Sequence, residues 1–357
     1  MKTLRGYLAR DIIRATALVA GALLGLFAFF DLLQELKDVG KGDYGLLKVV
    51  AYVLLTLPGR LYEILPIAVL IGSLYALTLL AQHSEITVMR ASGLSTAAML
   101  GLVAQTGTIF VVLTLLIGEY VAPPSEQAAQ RLRVRAQSGV IGQGFRSGIW
   151  LKEENAFINL QSVSLDARVK QVRIYEFDAN YALVAISDAA EGEYVGPNTW
   201  RLRDVVRTVF SNNRANVERL PELRWHSALS PDILSVLLVV PERMSLIHLY
   251  KYISHLAENQ QKTGRYEIAF WKKLVYPFAA WVMMALAIPF AFRHHRLAGV
   301  SIRVFAGVMI GIFFHMLNGL FSNLGIINNW PPFFSAITPS LLFLAAAAAM
   351  LWWEERR

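Results

Sequence analysis

Two patterns share this chain: long apolar runs, and a central region where polar and apolar positions take turns. A helix that crosses a bilayer needs about 20 mostly apolar residues. Runs of that length lie at about Ile12–Leu33, Ala97–Val121, Leu274–Phe292, Ile302–Leu324 and Phe333–Trp353. A further apolar region, Leu46–Leu80, is too long for one simple span and contains Pro58, Arg60, Glu63 and Pro66. It predicts a lead-in helix, a kink, and a span from about Tyr62 to Ala81. Pro123 and Pro124 predict the end of the third span, since proline lacks the N–H a helix interior needs. From Ser125 to about Pro241 the period falls to two: Ile158 and Leu160 alternate with Asn159 and Gln161, and Trp200 and Leu202 with Arg201 and Arg203. That is strand spacing, and Gly196-Pro197-Asn198 reads as a turn between strands. Then Leu246, Leu249, Tyr250, Ile253 and Leu256 return at helical spacing. The prediction is an α-helical membrane protein with six transmembrane helices and an inserted all-β domain. Residues 1–124 hold spans one to three, 125–245 the β-domain, and 246–357 an amphipathic connecting helix followed by spans four to six.

Composition supports two solvents. Of 357 residues, 55% are hydrophobic and 17% charged, with mean hydropathy +0.44, against about a quarter charged in soluble domains. The dense charge lies between about Ser125 and Lys273. A net charge of +8, concentrated partly at membrane edges, favours anionic lipid headgroups over nucleic acid as partner. There is no cysteine, which excludes disulfides, thiolate metal sites and cysteine nucleophiles. The basic residues before the first span suggest a signal peptide, but the apolar run is too long and no small-residue cleavage site follows. It is expected to be retained.

Lys and Arg in short flanking segments set orientation. Lys2, Arg5, Arg10, Arg14, Arg90, Arg293, Arg296, Arg303, Arg356 and Arg357 fall on the side of the N-terminus, whereas the loop Ser322–Pro332 has none. Both termini are expected on the cytoplasmic side of the membrane, with the β-domain on the opposite side. Trp330, Trp352 and Trp353 fall where interfacial aromatic anchors sit.

Enzyme signatures are absent: Gly40-Lys41 lacks the upstream glycine and following hydroxyl of a phosphate loop, and neither HExxH nor GxSxG occurs. No catalytic residue and no metal site is expected. His294-His295 reads as a solvated turn, and His315 as either part of a polar path or a partner in a helix–helix hydrogen bond. More informative is the connection between spans two and three, about residues 82–95. Ser84 can cap a short helix, Glu85 sits in its first turn, and Gly93 can end it. With Ile86 and Met89 nearby, this is either a helix that a cytoplasmic partner grips or an ordinary surface helix. At the other edge, Asp31, Lys37, Lys41, Arg60 and Glu63 lie in or beside the membrane, where an unpaired charge is costly. Arg60 and Glu63, one turn apart, are expected to pair.

Ala81-Gln82-His83-Ser84-Glu85-Ile86-Thr87-Val88-Met89-Arg90-Ala91-Ser92-Gly93 resembles the coupling helix of the YjgP/YjgQ permease family, which comprises the LptF and LptG subunits of the lipopolysaccharide export ABC transporter. Gly118-Glu119-Tyr120-Val121-Ala122-Pro123, Trp330-Pro331-Pro332, and the stretch from Glu35-Leu36-Lys37 to Gly42-Asp43-Tyr44 are similar to the LptG branch. The resemblance covers essentially the whole chain. It implies a jellyroll-like β-domain, a heterodimer with LptF, an LptB ATPase dimer on the cytoplasmic side, LptC beside the pair, and LptA beyond the periplasmic domain. No cofactor is expected in this chain, with ATP-Mg belonging to the partner ATPase. Lipopolysaccharide would be extracted from the outer leaflet and passed from β-domain to β-domain. Glu85, Ile86, Met89 and Arg90 would couple to the ATPase, while Lys37, Lys41, Phe313 and Leu317 would contact the lipid. Asp31 departs from the family pattern, where a related span carries a basic residue. Lys37 and Lys41 also admit simple snorkelling at the interface. The alternative function is a membrane-anchored periplasmic scaffold, for which a helix exposed to a cytoplasmic motor has no use. A secondary transporter fits less well, because no inverted repeat is visible.

Overall fold

The computed structural model describes residues 2–93, 95–137, 140–141, 148–153, 155–164, 168–196, 198–211, 214–227, 240–292 and 300–356. Arg293, His294, His295, Arg296, Pro197 and Arg357 lie outside them. Among the described residues six helical stretches are long and apolar enough to cross a membrane: Leu4–Asp38, Leu46–Gln82, Ala98–Gln137, Gly264–Phe290, Val300–Ile327 and Pro332–Trp353.

Helix α1 (Lys2–Glu35) and α2 (Leu46–Gln82) form the first hairpin. Instead of a lead-in helix and a kinked span, α2 is one helix of 37 residues that retains Pro58 and Pro66. Each proline frees a carbonyl, and membrane helices tolerate this when neighbours supply polar partners. Hydroxyls from other segments reach α2 beside both prolines, one residue past the freed carbonyls of Leu54 and Tyr62: Ser125 Oγ donates to the Leu55 carbonyl and Tyr276 to the Glu63 carbonyl. At 1.5 Å per residue α2 is about 55 Å long, well beyond the hydrocarbon thickness of about 30 Å.

The short α3 (Glu85–Ala91) leads to α4 (Thr96–Leu116), which continues through a π-helical turn (Ile117–Val121) into α5 (Ala122–Gln137). Pro123 and Pro124 do not end the helix. They occupy the first turn after the π segment, where the regular hydrogen-bond ladder is already interrupted and a missing N–H costs little. The domain boundary expected at residue 125 therefore falls inside a helix, and the sheet begins only at Val140.

Among the described residues seven strands make one antiparallel sheet: β1 (Val140–Ile141), β2 (Ile149–Glu153), β3 (Ala156–Ser164), β4 (Arg168–Phe177), β5 (Leu183–Gly196), β6 (Thr199–Ser211) and β7 (Arg214–His226). Strands β3 to β7 each pair with their neighbour in sequence, and β1 and β2 both pair with β3. The described sheet is a meander, and no jellyroll crossover occurs among the described residues. Its buried face carries Ile158, Leu160, Val172, Ile174, Trp200, Leu202 and Val205, the alternation of the sequence realised in three dimensions.

The chain returns through a 3-10 turn (Pro241–Arg243) to α6 (Leu246–Glu258), whose amide end Ser245 caps, and then to α7 (Gly264–Val275) and α8 (Ala279–Phe292). Leu249, Tyr252 and Leu256 form the buried stripe of α6, while Tyr250 faces outward. Helices α9 (Val300–Ile327) and α10 (Pro332–Glu355) complete the bundle. Its core gathers around α2, the most buried of the spans, against α1, α4, α8, α9 and α10. Gly72 lets α1 approach closely, since a Cβ there would lie 2.5 Å from Thr16 Cα. His315 is exposed on α9 and makes no hydrogen bond with a described residue; of its two expected roles, the helix–helix bond is not formed within this chain.

Candidate functional site

The two ends of the bundle carry different chemistry. At the end remote from the sheet, α3 is seven residues long and hangs between α2 and α4. Ser84 does not cap it as expected. Its backbone is left-handed (φ 60°), and its carbonyl accepts from Val88 N, 3.0 Å away. Gly93 closes the connection with φ +95°, and Ser95 caps α4 by accepting from Ala98 N at 3.1 Å. Glu85 is partly exposed: the Tyr7 hydroxyl of α1 donates to it at 3.3 Å, and His83 Nδ1 lies 4.0 Å away. Ile86, expected on the outward face, is 4% exposed and belongs to the bundle core. The reason is the helical period: with Glu85 outward, position 86 turns toward α1, α2 and α4. Val88, at 63% exposure, is the outward apolar residue. Met89 is half-buried, and Arg90 is described only as helical backbone.

At the sheet-bearing end, the two lysines differ. Lys41 Nζ is 2.6 Å from Asp38 Oδ1, and Asp38 also takes Arg133 Nη2 at 2.7 Å. Buried Glu35 accepts from the Tyr44 hydroxyl at 3.0 Å and faces Arg133 Nε at 3.5 Å. Lys41 thus has an internal counter-ion, whereas Lys37 is exposed and has none among the described residues. Phe313 is exposed on α9 and Leu317 is partly buried there. Phe313 stands beside Phe343 and Leu317 packs against the bundle core, whereas Lys37 and Lys41 lie in the connection between α1 and α2.

A groove of about 640 Å³ runs along α5 at this end, lined by Lys48, Pro124, Gln127, Arg131, Leu132 and Arg135 among others. Arg131 and Arg135 are one turn apart, exposed, and unpaired among the described residues. Lys48 bonds Asp43 and holds that carboxyl below the usual range. Sequence reasoning passed over this groove. The signal was present in Arg131-Leu132-Arg133-Val134-Arg135, which reads as a strand when the domain is started at 125 and as a basic helix face when α5 continues to Gln137.

A partly buried network of charges links α1, α2, α5 and the returning chain. Arg60 makes a two-pronged contact with Asp31 (2.8 and 2.9 Å) and reaches Glu63 at 3.2 Å. The expected Arg60–Glu63 pair forms, but Asp31 holds the better geometry, which accounts for an acid at that position of α1. Arg243 spans Glu63 (3.5 Å) and Glu126 (3.0 Å). Burial works against its charge, yet these two carboxylates outweigh burial and raise its pKa. Glu119 accepts from Leu246 N at 3.0 and 3.1 Å and lies 3.7 Å from Lys273, which also donates to the Met244 carbonyl.

Comparison with known proteins extends this geometry. Residues 6–353 match the family described as lipopolysaccharide export system permease LptF/LptG. The chain is similar to the lipopolysaccharide export system permease protein LptG of Haemophilus influenzae, 32% identical over 346 residues and 96% of each chain. It is similar also to the protein of the same name in Escherichia coli, 31% identical over 339 residues and 94% of each chain.

Proposed function

The chain belongs to the LptF/LptG family of lipopolysaccharide export permeases, and from that premise we propose that it is the LptG-like, non-catalytic half of a transporter that extracts lipopolysaccharide from the outer leaflet of the inner membrane. In this reading the sheet lies in the periplasm and both termini in the cytoplasm. A second permease, LptF, completes the cavity; LptC joins it, and LptA receives the lipid beyond the sheet. An LptB dimer binds ATP-Mg and hydrolyses it against α3. The observation that carries the reading is α3 itself: Ile86 seats the helix in the core and leaves Glu85 and Val88 facing outward, at the end opposite the sheet. An acid and an apolar side chain presented together suit a partner that supplies a cation and a shallow apolar pocket. At the other end, Lys37, Arg131 and Arg135 are cations without partners among the described residues, suited to the phosphates of lipid A.

The test is reconstitution of the full chain with its co-expressed partners in proteoliposomes loaded with lipopolysaccharide. ATP-dependent release to a periplasmic acceptor is expected. Normal assembly with no ATPase attached and no release would favour the scaffold instead. Sidedness follows from single cysteines in this cysteine-free chain: Asn180→Cys should react with an impermeant maleimide in spheroplasts and Val88→Cys only after lysis.

A further inference from the structure

Among the described residues, both connections between the membrane bundle and the sheet carry members of this partly buried ion network. Going out, the chain leaves α4 by the π turn and α5, which carry Glu119 and Glu126. Coming back, it passes the 3-10 turn with Arg243 and enters α6, whose first amide is held by Glu119. Arg243 joins the returning connection to the outgoing one through Glu126 and to α2 through Glu63. Arg60 extends the same chain of charges to Asp31 on α1. Two stems and one membrane helix thus meet at the Arg243 guanidinium, and a second guanidinium, Arg60, carries the chain of charges on to α1.

Three observations distinguish this joint from a static tie. A π turn, often found where helices carry function, sits directly at it. Glu126 is 2% exposed, yet its Oε2 has no hydrogen-bond partner among the described residues. It lines, with Gly59, Tyr62, Glu63, Gly118 and Arg243, a cavity of about 10 Å³, no more than one water molecule. Arg243 is also placed unequally, 3.0 Å from one acid and 3.5 Å from the other. A buried carboxylate left half satisfied beside a shared cation is costly in one geometry and is relieved in another.

We propose that Arg243 is a positioning residue for lipid transfer: it clamps both stems of the β-domain to α2, so that a shift of α2 relative to α5 reorients the sheet. The proposal rests on the transport reading above and concerns how movement reaches the sheet.

Spin labels on Leu47→Cys, at the start of α2, and Tyr181→Cys, in the β4–β5 turn, would report the sheet's position, both residues being highly exposed (85% and 82%). The measurements use the assembled complex in proteoliposomes. In the otherwise native chain the label distance should be narrowly distributed and should change when nucleotide is added. In Arg243→Gln and Glu126→Gln the distribution should broaden at least about twofold and lose its nucleotide response. Lipopolysaccharide release should fall roughly tenfold while ATP hydrolysis continues, as for loss of one partner of a buried pair. Arg243→Lys should restore part of the release, and the Arg243→Gln/Glu126→Gln double variant should be no worse than either single one. Arg173→Gln, which breaks an exposed pair on the sheet, is the control. Native-like distances and release in both single variants would overturn the joint. Release that falls only in step with ATP hydrolysis or with assembly would also overturn it, by reducing the network to a stabiliser. Absence of release from the unmodified complex would instead strike the transport reading and leave the distance measurement to decide the joint.

Discussion

The two ends of the bundle treat acidic residues in opposite ways. At the sheet-bearing end Glu35, Glu119 and Glu126 are buried or nearly so and meet cations or amides of the same chain at about hydrogen-bond range. At the other end Glu85 is partly exposed and receives one tyrosine hydroxyl at 3.3 Å. A charge satisfied internally holds elements of one chain in register; a charge left half free is available to another molecule. The difference separates internal transmission from external docking, and it makes the two ends respond differently to substitution.

The largest effect is expected at the buried end. Glu119→Ala leaves the Lys273 ammonium without its counter-ion and the Leu246 amide without its acceptor. Breaking one partner of a buried pair costs about 3–5 kcal/mol, so the apparent Tm in detergent should fall sharply and amide exchange in α6 should rise. An unchanged Tm would mean that water takes over the role of Glu119, and the contrast between the ends would weaken. Next comes Ile86→Ala, which removes a core side chain and should cost about 2–5 kcal/mol, visible as a lower Tm. Val88→Asp, two residues on, should leave Tm unchanged and reduce copurification of the ATPase. If both substitutions acted alike, α3 would have no separate seating and docking faces.

Glu85→Lys should shift stability by no more than about 0.5 kcal/mol, as for a surface site, yet cut ATPase copurification by about tenfold. Retention of the ATPase would return α3 to the status of a surface turn. The smallest effect belongs to the lysines. Lys37→Glu should weaken lipopolysaccharide crosslinking several-fold more than Lys37→Ala, because reversal replaces attraction by repulsion. Lys41→Ala should do less than Lys37→Ala, since Asp38 already neutralises Lys41. Equal effects at 37 and 41 would show that this ion pair opens when lipid arrives.

Apolar runs and strand alternation were readable because each follows from one period and one solvent: the spans at Leu274–Phe292 and Phe333–Trp353 nearly coincide with α8 and α10. What misled was proline. Local rules place a break at Pro58, Pro66 and Pro123, but hydroxyls from residues far away in sequence, Ser125 and Tyr276, meet the carbonyls of α2. The site was legible only in part for the same reason. Glu85 was legible as a first-turn acid on a short connecting helix and Lys37 as one of several charges at a membrane edge, with the family resemblance supplying their roles. Nothing local marks Arg243, Glu126 and Lys273, because residues 117 positions apart, as Glu126 and Arg243 are, meet only in the fold. Ile86 was misplaced by counting composition on α3 without fixing which side faces the bundle.

The unbroken length of α2 has a consequence in leverage. From Gln82, where α3 hangs, to Arg60 is 22 residues, an arm of about 33 Å at 1.5 Å per residue. A tilt of about 5° around the α3 end therefore carries Arg60 sideways by about 3 Å, on the scale of a hydrogen bond. Its contacts with Asp31, at 2.8 and 2.9 Å, could not survive such a swing unless α1 followed. A small rotation at the α3 end is thus multiplied by the helix into a choice between carrying α1 along and letting go of it, and a helix broken at Pro66 would lose that motion in bending.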